Sequence, residues 1–323
     1  FSMNSSSSSS KSALVSSNVL IFVQISVKML DFESIIEIPT PLQNMKAELF
    51  DRWGVDVWVK RDDLTHPFIS GNKFRKLQYN LLQAEKEGKD RLITFGGAYS
   101  NHLAAFAFAC REFGFRGKAV VRGEELKADS SPTLAFAHSM GIELEFVSRE
   151  AYRNKQELVG NTDDYVIPEG GSNAVALPGV GAIIAEIGAF DYLLTACGTG
   201  GTMAGLLQAA PPEATIIGVS ALKGGDFLEE EVVRLLGRPF PENAHLETGF
   251  HFGGYARHTP ELIRFIRSFE LQHGIRLEQV YTGKMVFAFY NLLAAGHFPR
   301  GSTVVLLHTG GLQGRLPALD KSL

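Results

Sequence analysis

The chain has 323 residues, a formal net charge of −4, 45% hydrophobic and 20% charged residues, a composition that buries large cores and suits about two domains. It carries no basic tract or clustered Lys/Arg stripe, which argues against nucleic acid or an anionic membrane as a partner. Its two cysteines, Cys110 and Cys197, are too few for a disulfide framework and lack metal-ligand spacing; they read as buried thiols of a reducing, cytoplasmic interior.

Residues 1–28 open with a serine run, followed by an apolar stretch from Val19 to Val27 that Gln24 and Ser26 interrupt. That stretch is shorter than the roughly twenty residues of a membrane span, and it has neither the basic leader nor the small-residue cleavage site of a signal peptide. With Phe1-Ser2 ahead of Met3, the segment is expected to be disordered or derived from expression. The globular protein is then expected to start near Met29.

VDVWVKRDDL (Val55 to Leu64) reads as a strand and a turn. In SGNKFRKLQYNLLQAEKEGKD (Ser70 to Asp90) the spacing of Phe74, Leu77, Leu81 and Ala84 predicts a helix starting just after Gly71, capped by Ser70 or Asn72 and stopped by Gly88. Lys73 then sits in the first turn, where the positive end of the helix dipole disfavours an ammonium. A lysine with a lowered pKa serves as amine nucleophile or base; a solvated surface lysine is the other reading. RLITFGGAYSNHLAAFAFACREFG (Arg91 to Gly114) reads as strand, glycine loop and helix. KAVVRGE and IELEFVS read as strands with the helix SPTLAFAHSMG between them. PGVGAIIAEIGAF reads as a helix, and DYLLTACGTGGTMAGLLQAA as strand, loop and helix again. TIIGVSAL and STVVLLHTGG complete the set. Strands that alternate with helices and run continuously apolar define an α/β protein with parallel sheets covered on both faces.

Ligands of such sheets bind where strand ends lead into helices, which selects GGAYSNH, CGTGGT and HTGG. Gly198, Thr199, Gly200, Gly201 and Thr202 lie directly between a strand and a helix. Converging amides, a helix start and hydroxyl donors suit one phosphate group. The loop lacks the Lys-Ser/Thr ending of a nucleotide P-loop and the pattern of a dinucleotide site; a plain tight turn is the competing reading. A nucleophilic lysine, a single-phosphate cradle and no metal ligands together point to pyridoxal 5′-phosphate.

SGNKFRKL, TFGGAYSNHLAA, LLTACGTGGTMAGL, VYTGK and LLHTGG, in this order, resemble the fold-type-II pyridoxal-phosphate enzymes. The resemblance is to the branch of D-cysteine desulfhydrases and 1-aminocyclopropane-1-carboxylate (ACC) deaminases, and it extends from about Phe32 to the C-terminus. It implies a two-domain, tryptophan synthase β-like fold with parallel-rich twisted sheets flanked by helices. Residues 29–75 and 179–323 would form a large cofactor domain, and 76–178 a small domain that closes over substrate, in a homodimer. Lys73 would be the Schiff-base lysine and the base. Ser100, Asn101 and His102 would hold the substrate carboxylate, with Asn101 also reaching the cofactor ring hydroxyl and Ser100 assisting proton transfer. The resemblance makes Tyr281 the residue stacked on the ring and Tyr255 a second active-site tyrosine. The same residues also fit plainer roles: a helix cap for Ser100, a core histidine for His102, packing for the tyrosines.

ACC deaminases of this branch carry glutamate after the stacking tyrosine and leucine in the C-terminal loop, where this chain has Thr282 and Thr309. A carboxylate by the pyridine nitrogen strengthens the electron sink needed to open a cyclopropane. Hydroxyls suffice for eliminating a thiol, whose pKa of about 8.5 makes it a good leaving group. The expected reaction is therefore β-elimination from a small amino acid, D-cysteine foremost, giving pyruvate, hydrogen sulfide and ammonia. ACC deamination to 2-oxobutyrate is the alternative, and a racemase, a β-replacement enzyme or a non-catalytic cofactor-binding module are more distant ones.

Overall fold

The continuous apolar runs form the inner strands of two sheets in the computed structural model, which describes residues 30–160 and 162–320. The expectation for residues 1–28 falls outside that range. The strands are β1 (Leu42–Met45), β2 (Asp56–Lys60), β3 (Arg91–Gly96), β4 (Arg116–Arg122), β5 (Glu143–Val147), β6 (Tyr165–Val166), β7 (Tyr192–Cys197), β8 (Thr215–Ser220), β9 (Ala244–Glu247) and β10 (Thr303–Leu307). The larger sheet has the order β1-β2-β10-β7-β8-β9 and the smaller one β5-β4-β3-β6. All pairings are parallel except β1 with β2, where Leu42 faces Lys60.

The helices are α1 (Glu48–Trp53), α2 (Asn72–Lys86), α3 (Asn101–Phe113), α4 (Pro132–Ser139), α5 (Lys155–Val159) and α6 (Leu177–Ile187). They continue with α7 (Gly201–Ala209), α8 (Phe227–Leu236), α9 (Pro260–His273), α10 (Thr282–Ala294) and α11 (Pro317–Asp320). None among the described residues is long and apolar enough to cross a membrane.

Successive strand residues point to opposite faces, and in the larger sheet both faces are buried. Leu194, Ile217, Val304 and Leu306 pack with Ile266 and Phe289 of α9 and α10. Their neighbours Leu193, Ile216, Val305 and Leu307 pack on the other side with Ile183, Met203 and Leu228 of α6, α7 and α8. Two-sided burial explains why these strands read as unbroken apolar runs.

Helix α2 begins where the sequence placed it, but its capping differs. Neither Ser70 nor Asn72 caps it: the N-cap is Gly71, with φ 62°, and no side chain bonds the first turn. A β-carbon at Gly71 would overlap the Thr309 carbonyl, so glycine is required for the loop after β10 to touch the start of α2. The Asn72 amide instead donates to Thr202 Oγ1 at 2.8 Å, tying α2 to the start of α7.

A buried ionic cluster fixes α2 from below. The Arg75 guanidinium donates to Asp62 (3.2 and 3.0 Å) and to Glu186 (2.6 and 2.9 Å). Lys60 Nζ donates to Glu186 at 2.6 Å and to Thr40. The fork geometry of arginine satisfies two carboxylates at once. Lys73, two residues before Arg75, is thereby held against the ends of β3, β7 and β10.

Candidate active site

One cavity of about 520 Å³ lies at those strand ends. The loop after β3 contributes Ser100, Asn101 and His102; the loop after β7 contributes Gly198, Thr199, Gly200 and Thr202; the start of α2 contributes Lys73. Tyr255, Tyr281 and Thr309 line it as well. Segments more than 200 residues apart in the chain thus meet around Lys73.

The Lys73 amine makes no hydrogen bond to another described residue, and burial pulls its pKa down to about 8, against a smaller upward pull from the Glu169 carboxylate. The amine that the sequence placed at an unfavourable helix position is therefore also desolvated, and near neutral pH it exists partly as a free base.

The loop from Gly198 to Thr202 forms a cradle. Gly200 is left-handed (φ 71°) and α7 starts at Gly201, so orphan amides of the helix face the space in front of it. Gly201 leaves that space open: a β-carbon there would strike Ser172 Oγ and come within 3.1 Å of Lys76 Nζ. Lys76 is 2% exposed, donates to Ser172 Oγ at 3.1 Å and has no acidic partner among the described residues. Burial, then the neighbouring Lys73, pushes its pKa well below the usual lysine value. Ser172 Oγ and Thr199 Oγ1 lie 2.6 Å apart. A buried amine with no counter-charge beside orphan amides and two hydroxyls fits a phosphate dianion. Lys76 and Ser172 are absent from the sequence reading, although Lys76 lies one turn after Lys73 on the same helix face.

On the opposite wall, Ser100 is both N-cap and cavity residue. Its Oγ accepts from Leu103 N at 3.3 Å, which leaves its proton free to donate. Asn101 Oδ1 accepts from Gln313 Nε2 at 2.8 Å, bridging to the segment after HTGG. His102 is fixed as one tautomer. The Thr94 hydroxyl donates to the Ile167 carbonyl (2.8 Å), so at 2.7 Å it accepts from His102 Nε2. His102 Nδ1 is a buried acceptor without a partner among the described residues. Burial, followed by Lys73 and Lys76, holds the imidazole neutral, well below its usual pKa.

Tyr281 stands beside Gly198, where a β-carbon would come within 3.0 Å of its ring. Tyr255 packs edge-on against it, with ring centroids 6.1 Å apart. Burial raises both phenol pKa values, Tyr281 the more strongly, so both are protonated donors at neutral pH. Thr309 is in the cavity wall, but Thr282 is not. Its Oγ1 donates to Glu278 Oε1 at 3.1 Å and accepts from Glu278 N at 3.2 Å. Glu278, which the sequence gave no sign of, is fully buried and also accepts from the amides of Val280, Tyr281 and Thr282. Cys197 lines the floor, its thiol pushed up to about 12 by burial and so inert.

A desolvated lysine facing a phosphate cradle at the carboxyl ends of parallel strands defines a cofactor enzyme in which an amine meets a phosphorylated aldehyde, and the comparisons agree. Residues 34–310 match the family described as pyridoxal-phosphate dependent enzyme, and the chain belongs to that family. It is 33% identical, over 88% of its length and 93% of the relative's, to a Pyrococcus horikoshii protein provisionally named 1-aminocyclopropane-1-carboxylate deaminase. It is 29% identical, over 89% of its length and 80% of the relative's, to the mitochondrial bifunctional D-cysteine desulfhydrase/1-aminocyclopropane-1-carboxylate deaminase of Arabidopsis thaliana. The crystal structure of an ACC deaminase homologue superposes with a TM-score of 0.73 at 30% identity, covering 87% of this chain and 91% of the other. The fold class and cofactor expected from the sequence therefore hold.

Proposed function

We propose that the chain is a lyase that eliminates the β-substituent of a small amino acid, with D-cysteine as preferred substrate and pyruvate, hydrogen sulfide and ammonia as products. Bound pyridoxal phosphate supplies the electron sink that lets bonds at the substrate's α-carbon break. The loop from Gly198 to Thr202, with Lys76 and Ser172, would hold the phosphate, Tyr281 would provide a flat wall for the ring, and Lys73 would be the attachment point. The α3 start at Ser100, Asn101 and His102 takes the substrate carboxylate, since orphan amides and the positive helix end both favour an anion. Lys73, once the substrate's amine has taken its place, is a buried amine of lowered proton affinity, positioned to remove the α-proton. Ser100 assists, with its proton free to donate. Tyr255 and Tyr281 remain protonated and can return a proton to the product side.

The observation that carries D-cysteine over ACC is that neither position presents a carboxylate to the cavity: Thr309 lines it with a neutral hydroxyl, and Thr282 lies outside the lining, turned onto Glu278. The relatives' names support both activities, one of them in a single bifunctional protein. The four strands β3–β6 all come from residues 91–166, which supports the proposed closing domain 76–178 against 29–75 with 179–323. A cytoplasmic homodimer completes the reading.

Purified protein incubated in parallel with D-cysteine, L-cysteine and ACC tests it, with identification of the 2-oxo acid released. Pyruvate from D-cysteine, abolished in Lys73→Ala, is the expected outcome. 2-Oxobutyrate as the main product would overturn the substrate assignment, and turnover surviving in Lys73→Ala would overturn the role of the lysine.

A further inference from the structure

A second buried lysine, outside the cavity lining, also lacks an acidic partner among the described residues. Lys284 belongs to the first turn of α10, three residues after Tyr281, and is 1% exposed. Its Nζ donates to three main-chain carbonyls: Ala221 at 3.2 Å, His251 at 2.9 Å and Gly254 at 2.9 Å. Three donors meet three acceptors, so the ammonium is fully satisfied without forming an ion pair. The carbonyls come from two separate loops, one directly after β8 and the other carrying Tyr255.

The Tyr255 loop needs outside support. Phe252 (φ 50°), Gly253 (95°), Gly254 (114°) and Ala256 (55°) all have positive φ. Two of these, Phe252 and Ala256, bear side chains in a region that L residues rarely adopt. Such a loop persists only when its surroundings over-determine it. Its internal bonds, Gly254 N to the His251 carbonyl and Arg257 N to the Gly254 carbonyl, close turns, and the Phe252 ring packs edge-on against Phe287 of α10 at 4.9 Å, but neither ties its main chain to the body. Lys284 does so, and it sits on the same helix start that carries Tyr281. It therefore sets Tyr255 against Tyr281 across the cavity wall.

We propose that Lys284 is a built-in monovalent cation, a positioning residue whose tethered ammonium occupies a cage of main-chain carbonyls and holds Tyr255 at the cavity. The inference rests on the reading above for the use of Tyr255, but the cage and the tether are independent of which amino acid is turned over. A cage of carbonyl oxygens attracts a small cation whether or not that cation is tethered. Truncating the side chain therefore leaves a vacancy that free ammonium, methylammonium or potassium can fill.

The test uses cofactor-loaded wild type, Lys284→Ala and Lys284→Met, digested briefly with trypsin, because Arg257 is exposed just beyond Tyr255. Cleavage after Arg257 is expected to be roughly tenfold faster in Lys284→Ala, as for a locally released loop. Methylammonium or potassium restores protection in that variant and leaves the wild type unchanged. Lys284→Met keeps the stem in the cage without the charge; it is cut fast and is not rescued, and it stands in if the alanine variant does not fold. The kcat of Lys284→Ala, with whichever substrate the wild type accepts, falls and recovers in the same cation series. In Tyr255→Phe the further loss from Lys284→Ala is smaller, as coupled residues require. Wild-type cleavage rates in both variants, or fast cleavage in Lys284→Ala that no small cation reverses, overturn the proposal. Proteolysis needs no turnover, so a wild type inactive on all three amino acids would sink the substrate reading and leave the cage decided on its own result.

Discussion

At the scale of single residues, Thr282 shows how neighbours decide what a side chain can do. Its position is the one at which the ACC deaminases of the resembled branch carry glutamate, yet here its hydroxyl faces the buried Glu278 carboxylate. Burial raises the Glu278 pKa even though several amides hydrogen-bond it, so no spare stabilisation is present for a second anion. Thr282→Glu places two carboxylates in one dry site, where one of them must protonate or move. The expected result is a loss of about 2–4 kcal/mol in urea unfolding of the cofactor-loaded enzyme. Part of that loss returns when Glu278→Gln is added. Unchanged stability in the single variant would show that the turn before α10 re-forms around the new carboxylate. Seating a carboxylate at residue 282 then requires changing residue 278 as well.

At the scale of elements, α2 is the piece on which the site depends. Its orientation comes from Arg75, Asp62, Glu186 and Lys60 rather than from a cap. Arg75→Met keeps the apolar bulk but leaves Asp62 fully buried without its cation, at an expected cost of about 3–5 kcal/mol. Because Lys73 and Lys76 ride on the same helix, cofactor affinity in spectral titration is expected to fall as well, and Arg75→Lys to recover only part of each loss. Affinity unchanged in a destabilised Arg75→Met would separate the cluster from the site. None of this was legible in the sequence. Arg75 and Glu186 are 111 residues apart, Lys60 and Glu186 126 apart, and a lone charge in an amphipathic helix reads as a solvated face. What was legible were the elements whose periodicity is dictated by burial: the inner strands, the α2 start, and the three glycine loops that line the cavity. The short edge strands β1 and β9, sequences LQNM and AHLE, carry polar residues because one side of each is open, so they give no apolar run. The capping reading failed because Gly71 is set by the Thr309 carbonyl, a contact across more than 230 residues that no local signal reports.

At the scale of the whole molecule, the buried amines make stability depend on pH in a direction that reveals the cofactor. Lys73 has a folded pKa of about 8 against roughly 10.4 for an unfolded lysine. Between those values the unfolded chain holds a proton that the folded chain has released, so stability increases as pH rises, by at most ~3 kcal/mol for this one group. Below pH 8 both states are protonated and the penalty for folding is constant. Lys76, lowered further, acts with the same sign and begins at lower pH. Lys284, also near 8, contributes equally with and without cofactor and cancels in a comparison. The phenols and thiols with raised values act oppositely, because the unfolded forms lose their protons first; the effect starts near pH 8 for the two thiols and near pH 9 for the phenols. Cofactor changes the account for Lys73 and Lys76 alone, the first by attachment and the second by setting a phosphate dianion beside it. The melting temperature of cofactor-free protein is therefore expected to climb between about pH 7 and pH 9 relative to the loaded form, with a smaller climb in Lys76→Met. Parallel curves for the two forms would mean that the lysines are not desolvated as the structure has them, and that Lys76 does not face the phosphate.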